Sequence, residues 1–187
     1  GIALSVWESA EYFATGVIPE PLGSAHRMFA PYQAIRCADG YITLGSANDR
    51  LFQRLCDLLG HPEWVADPDY ANATLRVRNR AALAERIETI TAEHTRQHWL
   101  ARLDAAGIPC GPINTYAEAF ADPQIRAREM VVEIEHPTLG RVQTPGSPIK
   151  MSETPPVVAR PAPLLGEHTR EVLREVGYSD EEISILL

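Results

Sequence analysis

Cysteine is scarce in this chain, and positive charge is in deficit. Cys37, Cys56 and Cys110 are the three thiols in 187 residues, odd in number, widely spaced and without a Cys-x-x-Cys pair. That pattern argues against a disulfide scaffold or a zinc site and fits free thiols in a reducing compartment. Lys and Arg total 17 against 25 Asp and Glu, a formal charge of −8. Such a balance opposes general binding to nucleic acid or to an anionic membrane, both of which reward basic patches. No apolar run approaches the roughly 20 residues of a membrane-spanning helix, and no charged-then-apolar leader opens the chain. A soluble, cytoplasmic protein with neither a nucleic-acid nor a membrane partner is expected. GxGxxG, GxxxxGK[ST] and GxSxG are also missing, so none of these nucleotide loops and no nucleophile elbow is visible.

What is present is enough apolar material, 45% of residues, for one good core or two small ones. Tyr32 to Arg36 and Tyr41 to Leu44 read as strands joined by a turn whose Asp39-Gly40 supplies the positive-φ residue a tight hairpin needs. Asn48-Asp49 then offers N-caps to a helix carrying Leu51, Phe52, Leu55, Leu58 and Leu59 on one stripe, with Gly60 as its stop. Upstream, Val6, Trp7, Ala10, Phe13, Ala14 and Val17 follow helical spacing almost from Gly1, which suggests a piece of a longer polypeptide. The following stretch to Ala30 has Pro19, Pro21 and Gly23 and no period. Loops of this length in compact proteins are usually functional or disordered.

Downstream, 66–80 reads as a polar connection, followed by helices from about Asn79 to His94 and from a Thr95 cap to Gly107. Ile108 to Asn114 is too rich in Pro and Gly for a helix and reads as a rigid extended segment. Thr115 to Glu118 fits a capping box and Asp122-Pro123 an N-cap before Pro. Met130 to Glu135 and Arg141 to Thr144 form a second strand pair. Six prolines in the 19 residues from Pro145 to Pro163 preset an extended strap. Two short helices close the chain, the second capped by Ser179. The fold class is α+β: small antiparallel hairpins with packed helices, then a Pro-rich strap and a C-terminal helix.

No residue demands a catalytic role. His94 and His98 have a metal-binding spacing, but Thr95 interrupts the helix between them, so surface histidines are the better reading. Cys110 lacks a basic neighbour that would activate it and reads as a small buried filler. Arg76, Arg78, Arg80 and Arg86 could meet a phosphate, but a solvated connection and helix start is the better reading. Asp39 is explained by its turn, and Asp49 and Asp122 by caps. The loop GSAHRMFAPYQ is the best site candidate, because His26, Arg27, Met28 and Phe29 set a titratable group, a cation and apolar bulk where the chain is irregular.

The order of motifs also carries a resemblance. APYQ, a DG turn and ND-R-x-F-x-x-L-C-x-x-L-G span Ala30 to Gly60. GIALSVWESA precedes them, with R-x-x-N-R-A-x-L at Arg76, AGIPCGPIN at Ala106, DPQ at Asp122, HPTLG at His136 and LGEHTREVLREVGYSDEEI at Leu165 following. This series resembles the family III CoA-transferases, the CaiB/BaiF family, which includes formyl-CoA and carnitine CoA-transferases and α-methylacyl-CoA racemase. The resemblance implies a large CoA-binding domain with a Rossmann-like sheet, a small domain covering the active site, and homodimers formed as intertwined rings. It also implies acyl-CoA and a carboxylic acid as substrates, CoA entering as a thioester rather than a tightly bound cofactor.

In such enzymes an aspartate attacks the thioester, and CoA passes to the acceptor through an aspartyl-CoA intermediate. That aspartate and most CoA contacts lie in the half that would precede Gly1. The expected partition is therefore a linker helix and site-facing loop at 1–30, a small α+β domain at 31–145, and a strap and helix at 146–187 returning to the large domain. The chain alone is expected to be inactive. The implied substrate-binding residues are His26, Arg27, Met28, Phe29, Pro31 and Tyr32, with no catalytic residue and no metal ligand. Gly23 to Gln33 has no glycine run, so a formyl or oxalate specificity is not expected. A racemase-type enzyme and a non-catalytic assembly module are the alternatives.

Overall fold

The structure, a computed structural model, describes residues 2–158 and 160–187. The chain forms two compact units, Gly1–Ile113 and Asn114–Leu187; the boundary falls inside the stretch 31–145.

In the first unit the Asp-Gly turn produces the hairpin its chemistry demands. β1 (Tyr32–Cys37) pairs antiparallel with β2 (Gly40–Gly45), with Ile35 opposite Ile42 and Cys37 opposite Gly40. Gly40 has φ 143°, a conformation side chains resist. The period-2 alternation places Ile35, Cys37, Ile42 and Leu44 on a buried face. α2 (Asp49–Leu59) begins where the Asn48 side chain accepts a hydrogen bond from the Leu51 N–H, and ends at left-handed Gly60. Its Phe52, Leu55, Cys56 and Leu59 join that face. α4 (Arg80–Thr91) adds Leu83 and Ile87, and α5 (Arg96–Ala105) adds Trp99 and Leu103. Thr95 caps α5. Asp39 does more than turn the hairpin, because its carboxylate accepts from the Arg96 N–H at 2.6 Å and ties the turn to the start of α5.

One expectation changes here and two gain detail. A 3-10 turn (Pro62–Ala66) leads into the polar connection, which contains α3 (Ala73–Arg78), whose N-cap Asn72 accepts from Leu75 N–H at 3.0 Å. The extended segment supplies a third strand, β3 (Cys110–Pro112), pairing with β2 to give the order β1-β2-β3. An edge strand tolerates Pro112, which has no N–H to donate. α1 (Val6–Thr15) is a helix ended by left-handed Gly16, but none of its residues is buried, so its apolar stripe belongs to no core of this unit.

The second unit is built from local devices. α6 (Tyr116–Ala121) starts with the Thr115/Glu118 capping box, and α7 (Pro123–Ala127) with Asp122 accepting from the Gln124 and Ile125 N–H groups. β4 (Val131–His136) and β5 (Gly140–Pro145) pair antiparallel. A Cβ at Gly146 would collide with the Glu129 carbonyl oxygen, so only glycine fits there. His136 accepts the Thr138 and Leu139 N–H groups at Nδ1, which leaves Nε2 to donate to the Ala162 carbonyl at 3.1 Å. One imidazole thus pins the Pro-rich segment to the hairpin turn. α8 (Thr169–Glu175) and α9 (Asp180–Leu186) follow, the latter opened by a Ser179/Glu182 capping box and burying Ile183. No described helix is long and apolar enough to cross a membrane.

Candidate functional site

The irregular stretch after α1 is held in place from several sides. Ser24 Oγ accepts from the Ala34 N–H at 3.1 Å, and the His26 N–H donates to the Tyr32 carbonyl at 2.8 Å. The Met28 N–H donates to His26 Nδ1 at 3.0 Å. Arg80, at the start of α4, spends its guanidinium on backbone: Nε on the Val77 carbonyl, Nη1 on that of His26 and Nη2 on that of Arg27. The His26 ring lies 4.8 Å from Phe29 and 5.1 Å from Tyr32, centroid to centroid. A loop so tied presents fixed side chains, as a binding surface requires.

These side chains border a cavity of about 880 Å³. α1 contributes Trp7, Glu8 and Glu11, the loop Ser24 to Met28, β1 Tyr32, and α3 Ala73, Thr74 and Val77. The structure brings His26, Arg27, Met28 and Tyr32 together on one wall. Phe29 instead packs its ring on His26 and Tyr32, and the Pro31 carbonyl accepts from the Ser46 N–H at 2.8 Å. Arg27 Nε stands 3.3 Å from Glu11 Oε2, an ion pair. The walls are mixed: apolar Trp7, Met28 and Val77 beside hydroxyls, two carboxylates, a guanidinium and an imidazole.

Sequence reasoning missed the walls from α1 and α3. Trp7 and Glu11 stand at i, i+4 and Glu8 and Glu11 at i, i+3, so the three line one side of α1. An indole beside two carboxylates was the available signal that this face is not ordinary core. Thr74 and Val77 lay in the stretch read as a polar connection.

The other candidates resolve differently. Arg76 is no solvated cation: its side chain is 2% exposed, its guanidinium lies 4.5 Å from the Phe52 ring centroid, and it donates to Asp49 at 2.5 Å and to the Tyr70 carbonyl at 3.1 Å. Asp49 is its counter-ion, and Asn48 does the capping. Arg86 pairs with Asp67 at 3.1 Å over the Tyr70 ring. The His94 and His98 rings stack 4.2 Å apart, and burial first, then His94, holds His98 below the usual imidazole range. Among the described residues no three His, Cys, Asp or Glu side chains gather as a metal set. Burial, then Asp104, pushes the Cys110 thiol up, and burial first lifts Cys56 to about 12. Neither is an activated nucleophile.

Comparison with known proteins decides the family. The model of CoA-transferase family III matches residues 1–169. This chain belongs to CoA-transferase family III.

Among family members, human succinyl-CoA:glutarate CoA-transferase is 39% identical over 166 residues, covering 88% of this chain and 38% of that protein. Formyl-CoA:oxalate CoA-transferase of Rhodopseudomonas palustris is 42% identical over 135 residues, 72% of this chain and 32% of its own. The crystal structure of a CaiB/BaiF family protein from Brucella suis superposes with a TM-score of 0.77 at 36% identity, over 93% of this chain and 45% of that one. The chain thus spans less than half the length of these relatives, and its α+β architecture is the one found in the CaiB/BaiF structure.

Proposed function

We propose that this chain is part of an acyl-CoA:carboxylate CoA-transferase and that the cavity beside His26 to Tyr32 covers the acyl end of the thioester. The observation that carries this reading is the fixed, half-apolar wall at that cavity in a chain that belongs to CoA-transferase family III. In this reading residues 1–30 are a linker helix and site-facing loop, 31–145 the small domain, and 146–187 a strap and helix that return to a large CoA-binding domain. The protein works as a homodimer in the cytoplasm.

The reaction passes through an aspartate that attacks the acyl-CoA thioester, giving a mixed anhydride and then an aspartyl-CoA thioester, from which CoA goes to the acceptor acid. Splitting one hard transfer into covalent steps lowers each barrier. No residue of this chain matches that aspartate, so it is supplied by polypeptide outside these 187 residues. The task left to this chain is shielding. An anhydride is lost if water reaches it, and Trp7, Met28, Tyr32 and Val77 offer the dry surface that prevents this.

A thioester-exchange assay tests the assignment. The longer polypeptide carrying this sequence is expected to move CoA between carboxylic acids, with succinate, glutarate and oxalate as the first acids to try. The 187-residue chain alone is expected to show no turnover. Robust exchange or hydrolysis by that chain would place the nucleophile within it and sink this reading.

A further inference from the structure

The ionisable side chains on the cavity wall are few: Glu8, Glu11, His26, Arg27 and the Tyr32 phenol. Arg80 approaches from α4, but its nitrogens are taken by backbone carbonyls. Arg27 is different. Its Nε is shielded from solvent and has no aligned hydrogen bond, with Glu11 Oε2 3.3 Å away as counter-charge. Its two terminal nitrogens bond to nothing among the described residues, although its side chain is only 25% exposed. A planar fork of donors is therefore held at the wall, its main chain clamped by Arg80, and left unspent.

We propose that Arg27 is the specificity-determining residue of this cavity, and that it receives the second carboxylate of a dicarboxylic substrate. The proposal rests on the transferase reading and names its substrate class. An acid that becomes a thioester gives up the charge of the carboxylate that reacts. A monocarboxylic acid then leaves a neutral alkyl end in the cavity, whereas a dicarboxylic acid keeps one full negative charge there. Burying that charge is expensive without a partner, and a guanidinium fork meets a carboxylate with two parallel N–H bonds.

Glu11 fits this role as the resting partner. It balances Arg27 while the cavity is empty, and its side chain is 38% exposed, so moving aside into water forfeits only a weak, screened pair. Glu8 and Glu11 also argue against the nucleotide end of CoA as occupant. Several phosphate charges would face two carboxylates with Arg27 as the one guanidinium to offset them.

The test is the acid preference of the longer polypeptide. Glutarate and pentanoate have the same chain length and differ by one carboxylate. Arg27→Gln is expected to cut the kcat/KM ratio of glutarate to pentanoate about 100-fold, the scale for losing one partner of a desolvated charge pair. Arg27→Lys, which keeps the charge but not the fork, falls between the two, a gradation that a folding defect would not produce. Glu11→Gln lowers the KM for glutarate. If turnover persists and the ratio ignores Arg27, the proposal is overturned and the transferase reading stands. If no acid is turned over, the transferase reading falls, and calorimetry with glutarate then judges Arg27. Glutarate binding abolished by Arg27→Gln sustains the proposal; absent binding, or binding indifferent to Arg27, overturns it.

Discussion

The first unit buries Ile35, Ile42, Phe52, Leu55, Leu83, Ile87, Trp99 and Leu103 in one cluster, whereas among the described residues of the second unit Ile183 is the one fully buried apolar side chain. Each large apolar side chain removed from water contributes about 1.5–3 kcal/mol, so the first unit has a cooperative core to set against its chain entropy. The second depends on two capping boxes, the Gly146 close approach and the His136 tether, while Ile149, Val157, Leu165 and Ile185 stay exposed. Devices of that kind contribute on the order of 1 kcal/mol apiece. The candidate cavity lies wholly on the unit with the core. A wall that must hold a guanidinium in one place needs a scaffold that does not yield, and local caps cannot provide one.

The sharpest way to break this comparison is a pair of equal truncations. Leu83→Ala is expected to destabilise the first unit by about 2–5 kcal/mol, the transfer loss plus the cavity it leaves. Ile183→Ala, though equally buried, should alter amide exchange only around α8 and α9. All three cysteines lie in the first unit, so thiol labelling in urea reports its opening alone. Equal loss of labelling protection in both variants would show a single cooperative body and end the distinction.

Asp49→Ala comes next. It leaves the 2% exposed Arg76 guanidinium without its counter-charge and should cost about 2–3 kcal/mol, less than for a fully buried pair because the Asp49 carboxylate is itself exposed. Urea unfolding of that variant against Arg76→Met sharpens the point: the methionine, which removes the stranded charge and keeps packing on Phe52, is expected to be the milder change.

Within the neutral range pH changes little, and its effects separate the units at opposite ends of the scale. Burial lifts the Cys56 thiol to about 12 from 9.0. A raised thiol pKa stabilises the fold below 9 and loses that contribution as pH climbs toward 12, so alkaline opening should appear first as labelling of the first unit. The Ser179 N–H and hydroxyl hold the Glu182 carboxyl below its usual range. Its contribution is present above pH 4.5 and fades as pH falls through the lowered value, seen as fraying of α9 in acid. Ser179→Ala should remove that acid dependence.

Much of the fold was legible because its signals are short. Asp39-Gly40 makes its hairpin, Asn48 and Gly60 bound α2, and Ser179 with Glu182 opens α9, all through partners within a few residues. The loop from Ser24 to Tyr32 was legible as a candidate for a similar reason, since Pro19, Pro21 and Gly23 just before it and its own mixed chemistry declare irregular chain by composition. What the residues could not declare is any bond whose partner is remote. Asp39 meets Arg96, Arg76 meets Asp49, and Arg80 meets the carbonyls of His26 and Arg27 across 57, 27 and 54 to 53 positions respectively.

The sequence by itself determined the two hairpins, the capped starts of α2, α5, α6, α7 and α9, and which loop carries varied chemistry, because caps, turns and periodicity act over one helical turn or less. Only the tertiary structure decided that Arg76 is core, that Trp7, Glu8 and Glu11 of α1 form a cavity wall, and that Arg27 stands there with its fork unspent. Those outcomes depend on which distant surfaces pack together, and a charged residue looks the same in the chain whether its partner is a neighbour, the solvent or a ligand.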